Sequence, residues 1–221
     1  MGGERIRVLV VEDQEVAREA LCALIGGTAD LVLVGRARDG REAVDAAVRL
    51  RPDVVLMDIR MPVVDGVEAT RLVLARVPAA RVVVLTTFDC DEYVDRALRA
   101  GACGFVLKSA PVVDVVRAVR AAHVGDSVLS PEVARRVVAG YAARPGGPTP
   151  FDVLGVRERE VAAGVARGLS NEEVAAELSL SLATVKTYLS RVFDKVGVRD
   201  RTQLVVLAYR TGFAGGESTF G

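Results

Sequence analysis

The chain has 221 residues, with 29 basic and 29 acidic side chains, so its net charge gives no indication of a nucleic-acid or membrane partner. Its hydrophobic residues nowhere form the run of roughly 18 apolar residues that a membrane-spanning helix needs. A single histidine and three widely spaced cysteines argue against a His-rich metal site, a Ser-His-Asp triad and a disulfide framework. Because the start MGGERIRVLVVED has no features of an export signal, we expect a cytoplasmic protein without a membrane partner.

Residues 5–124 alternate between short apolar runs and longer amphipathic runs. The predicted strands are RVLVV, LVLVG, VVLM, RVVVLT and GFVLK, and helices are predicted from near Gln14, Gly40, Asp65, Asp91 and Pro111. Apolar strands separated by helices predict a parallel sheet covered on both sides. Residues 1–125 are therefore expected to form an α/β doubly wound domain with a five-stranded parallel sheet.

The rest of the chain has a different pattern. A further helix is predicted from Ser130, within a linker over residues 126–150 that ends in the Pro- and Gly-rich segment ARPGGPTP. Residues 151–212 carry only helical patterns and predict a small all-α domain. Residues 213–221 offer little to pack and are expected to form a disordered tail.

Polar side chains end four of the five predicted strands. Glu12 and Asp13 end the first strand, Asp58 the third, Thr86 the fourth and Lys108 the fifth. In a sheet of strand order 2-1-3-4-5 these strands are neighbours, so the side chains should converge at one edge. Carboxylates at such close range repel one another unless a hard cation lies among them, and Mg2+ prefers oxygen ligands. The pattern therefore predicts a Mg2+ site.

With the stretch DIRMP from Asp58, the Asp65-Gly66 pair and Phe105, residues 5–124 resemble a response-regulator receiver domain. The resemblance implies that Asp58 is the phosphoacceptor, that Glu12 and Asp13 hold Mg2+ together with Asp58, and that the backbone carbonyl of Arg60 is a further ligand.

The same resemblance implies a mechanism and a switch. Asp58 would attack phosphorus as a carboxylate nucleophile, while the metal and Lys108 offset the charge on the phosphoryl oxygens. Thr86 would turn its hydroxyl toward the phosphoryl group, and the Phe105 ring would move into the vacated space. The chain has no GxxxxGK[ST] loop and no kinase signature, so a separate sensor histidine kinase is the expected donor. We expect a phosphoacceptor rather than an enzyme, with at most self-catalysed phosphotransfer and slow autodephosphorylation.

A phosphatase with an aspartyl nucleophile on a similar sheet is the main rival from another class. Such an enzyme needs a second acid two residues after the nucleophile, to act as general acid. The residue two after Asp58 is Arg60, which cannot serve as that acid, and this argues strongly against a phosphatase.

The second domain carries the pattern of a helix-turn-helix. Ser170 and Glu173 predict a capping box at the start of the helix NEEVAAEL, and a short turn leads to LATVKTYLSRVFDKV, which Gly197 closes. The predicted core face of this second helix consists of Leu182, Val185, Leu189, Val192, Phe193 and Val196. The residues expected to face DNA bases or phosphates are Thr184, Lys186, Thr187, Ser190, Arg191 and Lys195.

Charge alone does not decide whether this helix binds DNA. Residues 151–221 contain nine basic and nine acidic residues, whereas residues 182–199 contain four basic residues and one acidic residue. The pattern of the helix by itself fits a solvated amphipathic helix equally well.

The motifs REREV from Arg157, GLSNEEVA from Gly168 and TVKT from Thr184 resemble the LuxR-type DNA-binding domain. The resemblance implies that the helix from Arg201 to Tyr209 pairs the domain with a second copy. Three departures stand out: Leu154-Gly-Val, where the family has Leu-Thr, Tyr188, where a histidine is common, and Gly164, where a larger apolar residue is usual. In a helix, glycine costs about 1 kcal/mol of stability relative to alanine.

Together, the two resemblances indicate a two-component transcriptional response regulator of the NarL/FixJ family. Phosphorylation of Asp58 would change receiver dimerisation, interdomain contacts or both, and so control binding of a homodimer to double-stranded promoter DNA. Two alternatives stay open. One is a regulator that binds DNA independently of phosphorylation, and the other is a receiver that signals through protein contacts and has a helical module that never touches DNA.

Overall fold

The computed structural model describes residues 5–86, 91–126 and 149–213. The chain forms two compact units, residues 1–133 and 134–221. The linker helix predicted from Ser130, most of the segment ARPGGPTP and residues 214–221 lie outside the described residues.

In the first unit, strands and helices alternate along the chain. The strands are β1 (Ile6–Val11), β2 (Leu31–Ala37), β3 (Val54–Asp58), β4 (Arg81–Thr86) and β5 (Gly104–Leu107). The helices are α1 (Glu15–Gly26), α2 (Gly40–Leu50), α3 (Gly66–Arg76), α4 (Asp91–Ala100) and α5 (Val112–His123). The strands form one parallel sheet in the order β2-β1-β3-β4-β5, which confirms the predicted fold class and strand order.

Burial follows the position of each strand in the sheet. All five residues of the central strand β3 are buried, including its last residue Asp58. In the edge strand β2, residues 32–35 are only half-buried and Arg36 is exposed, because this strand has a neighbour on one side only. The predicted cover of helices extends to β2, which contacts both α1 and α2, and its greater exposure comes from its open edge.

Aspartate residues fix the start of two helices that border the carboxyl edge of the sheet. The side chain of Asp39 accepts a hydrogen bond from the Glu42 N–H at 2.9 Å, and the side chain of Asp65 accepts one from the Glu68 N–H at 2.8 Å. Each bond satisfies one of the amide groups left open in a first helical turn, so α2 and α3 begin directly after these residues.

In the second unit the described elements are all helical. A short 3-10 helix (Pro150–Val153) is followed by α6 (Val156–Ala166), α7 (Asn171–Leu178), α8 (Leu182–Val196) and α9 (Arg201–Arg210). The predicted capping box begins α7, with Ser170 N–H donating to Glu173 Oε2 at 2.7 Å and Glu173 N–H donating to Ser170 Oγ at 3.2 Å. Gly197 ends α8 with a φ of 72°, a conformation that glycine adopts without strain. Helices α7 and α8 are the predicted helix-turn-helix.

The core face of α8 is as predicted except at its first residue. Val185, Leu189, Val192 and Val196 are buried, and Phe193 packs against the same core. Leu182 is 42% exposed, so its assignment to the core is wrong. Helical side chains point toward the N-terminus of their helix, so a residue in the first turn extends beyond the helices that cover the rest of the face.

The prediction of a disordered tail over residues 213–221 is wrong at the first of these residues, Phe213, which is packed in the structure. Its ring stacks on that of the buried Phe151, with 3.9 Å between centroids and 9° between planes. Gly212, with a φ of 76°, turns the chain back after α9, and the guanidinium of Arg159 lies 5.8 Å from the centre of the Phe213 ring. An aromatic pair of this kind joins the beginning and the end of the described part of the second unit, residues 149–213.

Gly164 permits a close contact between two helices. A Cβ atom at this position would lie 3.0 Å from Val174 Cγ2, which is tighter than ordinary packing. The stability cost of a glycine in α6 is therefore accompanied by a closer approach of α6 to α7.

Among the described helices of either unit, none is both long and apolar enough to cross a bilayer.

Candidate functional sites

Three carboxylates meet at the carboxyl edge of the sheet. Glu12, Asp13 and Asp58 each contribute one oxygen atom to a group in which all atoms lie within 4.8 Å of one another. Strands β1 and β3 pair directly, with Val11 opposite Met57, so the residues that follow them share one edge. Glu12 and Asp58 are buried, and Asp13 is the most exposed of the three. The structure thus brings together the acids that the strand ends indicate.

Lys108 reaches the same cluster from the end of β5. Its Nζ lies 2.9 Å from Glu12 Oε1 and 2.8 Å from Glu12 Oε2, and it lies 2.9 Å from Asp58 Oδ2. The Lys108 N–H donates to the Thr86 carbonyl at 2.8 Å, which fixes the lysine backbone against the end of β4. One ammonium therefore bridges two buried carboxylates.

Several acceptor atoms of the cluster remain unsatisfied. Glu12 Oε2, Asp13 Oδ1 and Asp58 Oδ2 are buried and accept no well-directed hydrogen bond from the described residues, although Lys108 lies within ion-pair distance of two of them. Buried acceptor atoms that are not fully satisfied cost free energy, and here one ammonium serves two of them and leaves Asp13 Oδ1 without a hydrogen bond from the described residues. The arrangement indicates that a further group belongs there. A divalent cation satisfies oxygen atoms of this kind.

Burial and neighbouring charges shift the pKa values of Asp58, Glu12 and Lys108. Burial raises the pKa of Asp58 above its ordinary value; the hydrogen bond and charge of Lys108 oppose this rise, and the Asp13 carboxylate adds to it. Burial likewise raises the pKa of Glu12, with Lys108 opposing and Asp58 adding to the rise. For Lys108, burial lowers the pKa, but the bonds to Glu12 and Asp58 outweigh it and leave the pKa raised. Asp58 and Glu12 are thus less acidic than usual without a cation.

The loop after Asp58 is held close to the nucleophile candidate. A Cβ atom at Gly66 would lie 1.9 Å from the Asp58 carbonyl oxygen, so only glycine fits, and the Gly66 N–H donates to the Ile59 carbonyl at 2.9 Å. Val63 has a φ of 70°, and the bond from Val64 N–H to the Pro62 carbonyl, 2.8 Å long, closes a tight γ-turn around it.

Arg60 and Arg18 donate hydrogen bonds to residues of the cluster. Arg60 N–H donates to Asp58 Oδ1 at 3.3 Å, while the role of its carbonyl as a metal ligand stays a prediction. Arg18, a residue that the sequence did not single out, donates through Nη1 to the carbonyl oxygens of Glu12 and Asp13.

The two predicted switch residues lie on neighbouring strands. Thr86 and Phe105 are both buried, and β4 pairs with β5 so that Val84 is opposite Phe105 and Thr86 is opposite Leu107. Residues two apart along a strand share a face, so Thr86 and Phe105 lie on the same face of the sheet as diagonal neighbours. Residues 87–90, which follow Thr86, lie outside the described residues.

The outer face of α8 carries most of the residues expected to meet DNA. Lys186, Thr187, Ser190, Arg191 and Lys195 are exposed. Thr184 is half-buried and takes part in the cap of α8.

That cap is centred on Ser181, which the sequence did not single out. Thr184 N–H donates to Ser181 Oγ at 3.1 Å, and the hydroxyl groups of the two residues lie 2.8 Å apart. The Thr184 hydroxyl is therefore partly engaged in holding the first turn of α8.

Lys195 is tied to another helix of its own domain. Its Nζ lies 2.7 Å from Glu158 Oε2, which also accepts the Gly155 N–H at 2.9 Å at the start of α6. The bond to Lys195 and then the bond from Gly155 lower the pKa of Glu158. This carboxylate is the cap of α6 where the chain departs from the usual Leu-Thr.

An acidic cluster with a bridging lysine on a doubly wound domain, followed by a helix-turn-helix domain, is the arrangement expected of a two-domain DNA-binding regulator. Comparisons with known families agree with that class. Residues 8–120 match the response regulator receiver domain, and residues 152–208 match the bacterial regulatory proteins of the luxR family. The chain belongs to the response regulators that join a receiver domain to a LuxR-type DNA-binding domain, so the family predicted from its motifs is confirmed.

Individual relatives match this chain over nearly the whole length of both proteins. The chain is 37% identical over 205 residues to the transcriptional regulatory protein LiaR of Bacillus subtilis, a match that covers 93% of this chain and 97% of the relative. Identity to the response regulator protein VraR of Staphylococcus aureus is also 37%, with the same coverage of 93% and 97%. Among solved structures, the response regulator ChrA of a heme-sensing two-component system is 35% identical, with a TM-score of 0.53 and coverage of 93% and 97%. The chain is thus a DNA-binding regulator rather than a classical enzyme.

Proposed function

We propose that this response regulator accepts a phosphoryl group on Asp58 in a Mg2+-dependent reaction, and that this modification controls sequence-specific binding to double-stranded DNA. The observation that carries the proposal is the contact of Lys108 Nζ with both Glu12 and Asp58, beside the orphaned oxygen of Asp13. The receiver would span residues 1–125, the linker 126–150 and the DNA-binding domain 151–212.

The donor set fits Mg2+. Three carboxylates and one ammonium leave two negative charges to offset when all are ionised, and the buried acceptor atoms are oxygen. Glu12, Asp13 and Asp58 would hold the ion, with the carbonyl of Arg60 as a further ligand. When bound, Mg2+ supplies electrostatic stabilisation of negative charge on phosphoryl oxygens.

Asp58 is the nucleophile in this proposal. A lone pair of its carboxylate forms the O–P bond while the bond from phosphorus to the imidazole nitrogen of the donor histidine breaks, and that nitrogen keeps the electron pair. Lys108 is close enough to Asp58 to donate from its ammonium to a phosphoryl oxygen attached there. A sensor histidine kinase is the proposed donor, since the chain has no nucleotide-binding loop of its own. Any activity of its own would be self-catalysed phosphotransfer and slow autodephosphorylation.

Thr86 and Phe105 are the proposed switch. Their burial on one face of adjacent strands supports a coupled movement, because a rotation of one side chain changes the space open to the other. The change would favour a homodimer or release interdomain contacts, and either route would increase DNA affinity.

The outer face of α8 is the proposed DNA interface. Thr184, Lys186, Thr187, Ser190 and Arg191 are its members near the start and middle of the helix, and the exposed positive charge there supports phosphate and base contacts. The sequence also predicts a DNA contact for Lys195, although the carboxylate of Glu158 already offsets part of its charge.

A regulator that binds DNA without phosphorylation is the alternative. Three carboxylates crowded into a buried site oppose folding through repulsion and burial, as the raised pKa values of Asp58 and Glu12 indicate. A protein that never uses such a site would gain stability from losing one of the acids. The intact cluster therefore favours a regulator that is controlled by phosphorylation over one that binds DNA without it.

The test is the intact mass of the protein after incubation with Mg2+ and a small phosphodonor. The wild type is expected to gain about 80 Da, the mass of one phosphoryl group, and Asp58→Asn is expected to gain nothing. Chelation of the metal should abolish the gain. Equal labelling of both proteins would overturn the assignment of Asp58, and no labelling of the wild type would favour the phosphorylation-independent regulator.

A further inference from the structure

The loop that follows β1 carries two metal-ligand candidates, Glu12 and Asp13, and one side chain holds its backbone. The carbonyl oxygens of Glu12 and Asp13 accept hydrogen bonds from Arg18 Nη1 at 2.8 and 3.2 Å. The Glu12 N–H still belongs to the sheet edge, where it donates to the Ala37 carbonyl at 3.1 Å. From Glu12 onward, the backbone leaves the strand and is guided by this guanidinium.

Arg18 is itself fixed in the first turn of α1. Its N–H donates to the Gln14 carbonyl at 2.9 Å, and the Gln14 N–H donates to Glu12 Oε1 at 3.3 Å. The acid loop, the start of α1 and the Arg18 side chain therefore form a closed ring of hydrogen bonds. A ring of this kind restricts the rotation of the peptide groups that carry the two acids.

We propose that Arg18 is a positioning residue that sets the backbone of Glu12 and Asp13 for Mg2+, an inference that rests on the proposed function. Arg18 acts through the two carbonyl groups and needs no contact with the metal. The guanidinium suits this task because it is planar, so its hydrogen bonds have a fixed direction.

The charge of Arg18 and its geometry predict opposite effects. A positive charge near the acids repels a cation, so removing the charge alone would strengthen Mg2+ binding. Loss of the two carbonyl bonds loosens the loop, so the acids must be ordered again when the ion binds, and affinity falls. Since Arg18 contacts the backbone of both acids and neither carboxylate, we expect the geometric effect to dominate.

The experiment is an NMR titration of the full chain with Mg2+, combined with amide hydrogen exchange in the absence of the ion. Arg18→Gln is expected to weaken Mg2+ binding about fivefold or more, which corresponds to roughly one hydrogen bond. It should also speed the exchange of the amides in residues 12–14 without affecting those of β3. The matched control is Arg36→Gln, which removes an equal charge from an exposed pair with Glu19. That variant is expected to bind Mg2+ like the wild type.

Arg18→Lys provides a second variant in case Arg18→Gln does not fold. It keeps the charge, and with it the repulsion of the cation, but has neither the length nor the planar geometry of the guanidinium, so it should also weaken Mg2+ binding. Unchanged or tighter Mg2+ binding in both Arg18 variants, with unchanged exchange at residues 12–14, would overturn the inference. A wild type that shows no saturable Mg2+ response would instead contradict the proposed function, while the exchange data would still decide whether Arg18 orders the loop.

Discussion

Lys195 on the recognition helix α8 and Glu158 at the start of α6 form an ion pair, with 2.7 Å between Nζ and Oε2. The same carboxylate oxygen accepts the Gly155 N–H, so one group caps α6 and anchors the last turn of α8. The orientation of the proposed DNA-reading helix is therefore coupled to the first helix of the domain. This pair separates the two lysine residues of α8 into different roles.

Lys186 and Lys195 should differ in the salt dependence of DNA binding. Log K falls as log salt concentration rises, and each phosphate contact that is lost reduces the steepness of this fall, here called the slope, by about 0.9. Lys186→Met is expected to lower the slope by about that amount, because Lys186 is exposed on the outer face. Lys195→Met should lower it less, because Glu158 already offsets its charge. Fluorescence anisotropy with a labelled duplex at several salt concentrations measures both slopes, and equal losses would assign both lysine residues to phosphates.

Glu158 should make the stability of the second domain depend on pH. Its pKa is lowered in the folded state, by Lys195 first and then by the Gly155 N–H. A lowered pKa means that the stabilisation is complete above the unfolded-state pKa of about 4.3 and is lost as the pH falls through the lower, folded-state value.

The variant Glu158→Gln tests this dependence. It should be less stable than the wild type at neutral pH, and the difference should shrink as the pH falls below about 4.3. Thermal unfolding of both proteins over a pH series gives the comparison, with Glu160→Gln as the control, since Glu160 is half-buried and pairs with the exposed Arg157. A difference that is constant with pH would show that the ion pair is not its origin.

How far the sequence predicts the site depends on the range of each contact. Asp58 and Lys108 are predictable, because parallel strands deliver their carboxyl ends to one edge and the polar residue that ends a buried strand is visible in the sequence. Glu158 and Lys195 are 37 positions apart, and neither has a local pattern that indicates the other. Arg18 acts on backbone carbonyl groups, which every residue has, so no residue type marks its partners.

Phe213 and Leu182 illustrate the same limit in the core. The helical period places Leu182 on the core face of α8, but the period does not reveal where the neighbouring helices end, and Leu182 is exposed. Phe213 stands in a Gly-rich stretch, and only the position of Phe151 in space makes it part of the fold. Both outcomes depend on tertiary contacts that periodicity does not contain.

Gly66 should be among the least replaceable residues of the receiver. A Cβ atom there would lie 1.9 Å from the Asp58 carbonyl oxygen, and both groups belong to backbone that other hydrogen bonds hold in place. Gly66→Ala is expected to cost roughly 3 kcal/mol or more, in the range of severe overpacking. At Gly26, the last residue of α1, a Cβ atom would meet nothing within 4 Å, so Gly26→Ala should be neutral or slightly stabilising. Chemical denaturation of both variants measures the contrast, and similar values would contradict the close approach at Asp58.

The Asp13 carboxylate should lower the free energy of unfolding when Mg2+ is absent, and it should contribute to the binding of Mg2+ when the ion is present. Its carboxylate lies in the acidic cluster and adds to the raised pKa of Asp58. Asp13→Asn removes that repulsion, so the free energy of unfolding without metal should rise by on the order of 1 kcal/mol. The same change removes a proposed ligand, so the rise in Tm that Mg2+ causes in the wild type should largely disappear.

The control for Asp13 is Asp45→Asn, an exposed acid on α2 outside the acidic cluster. It should leave both the metal-free stability and the Mg2+ response unchanged. Differential scanning fluorimetry with and without Mg2+ measures the two effects at once. If Asp13→Asn were destabilised without metal and kept its full Mg2+ response, the carboxylate would be a structural acceptor rather than a ligand, and the cluster would need a different cation-binding set.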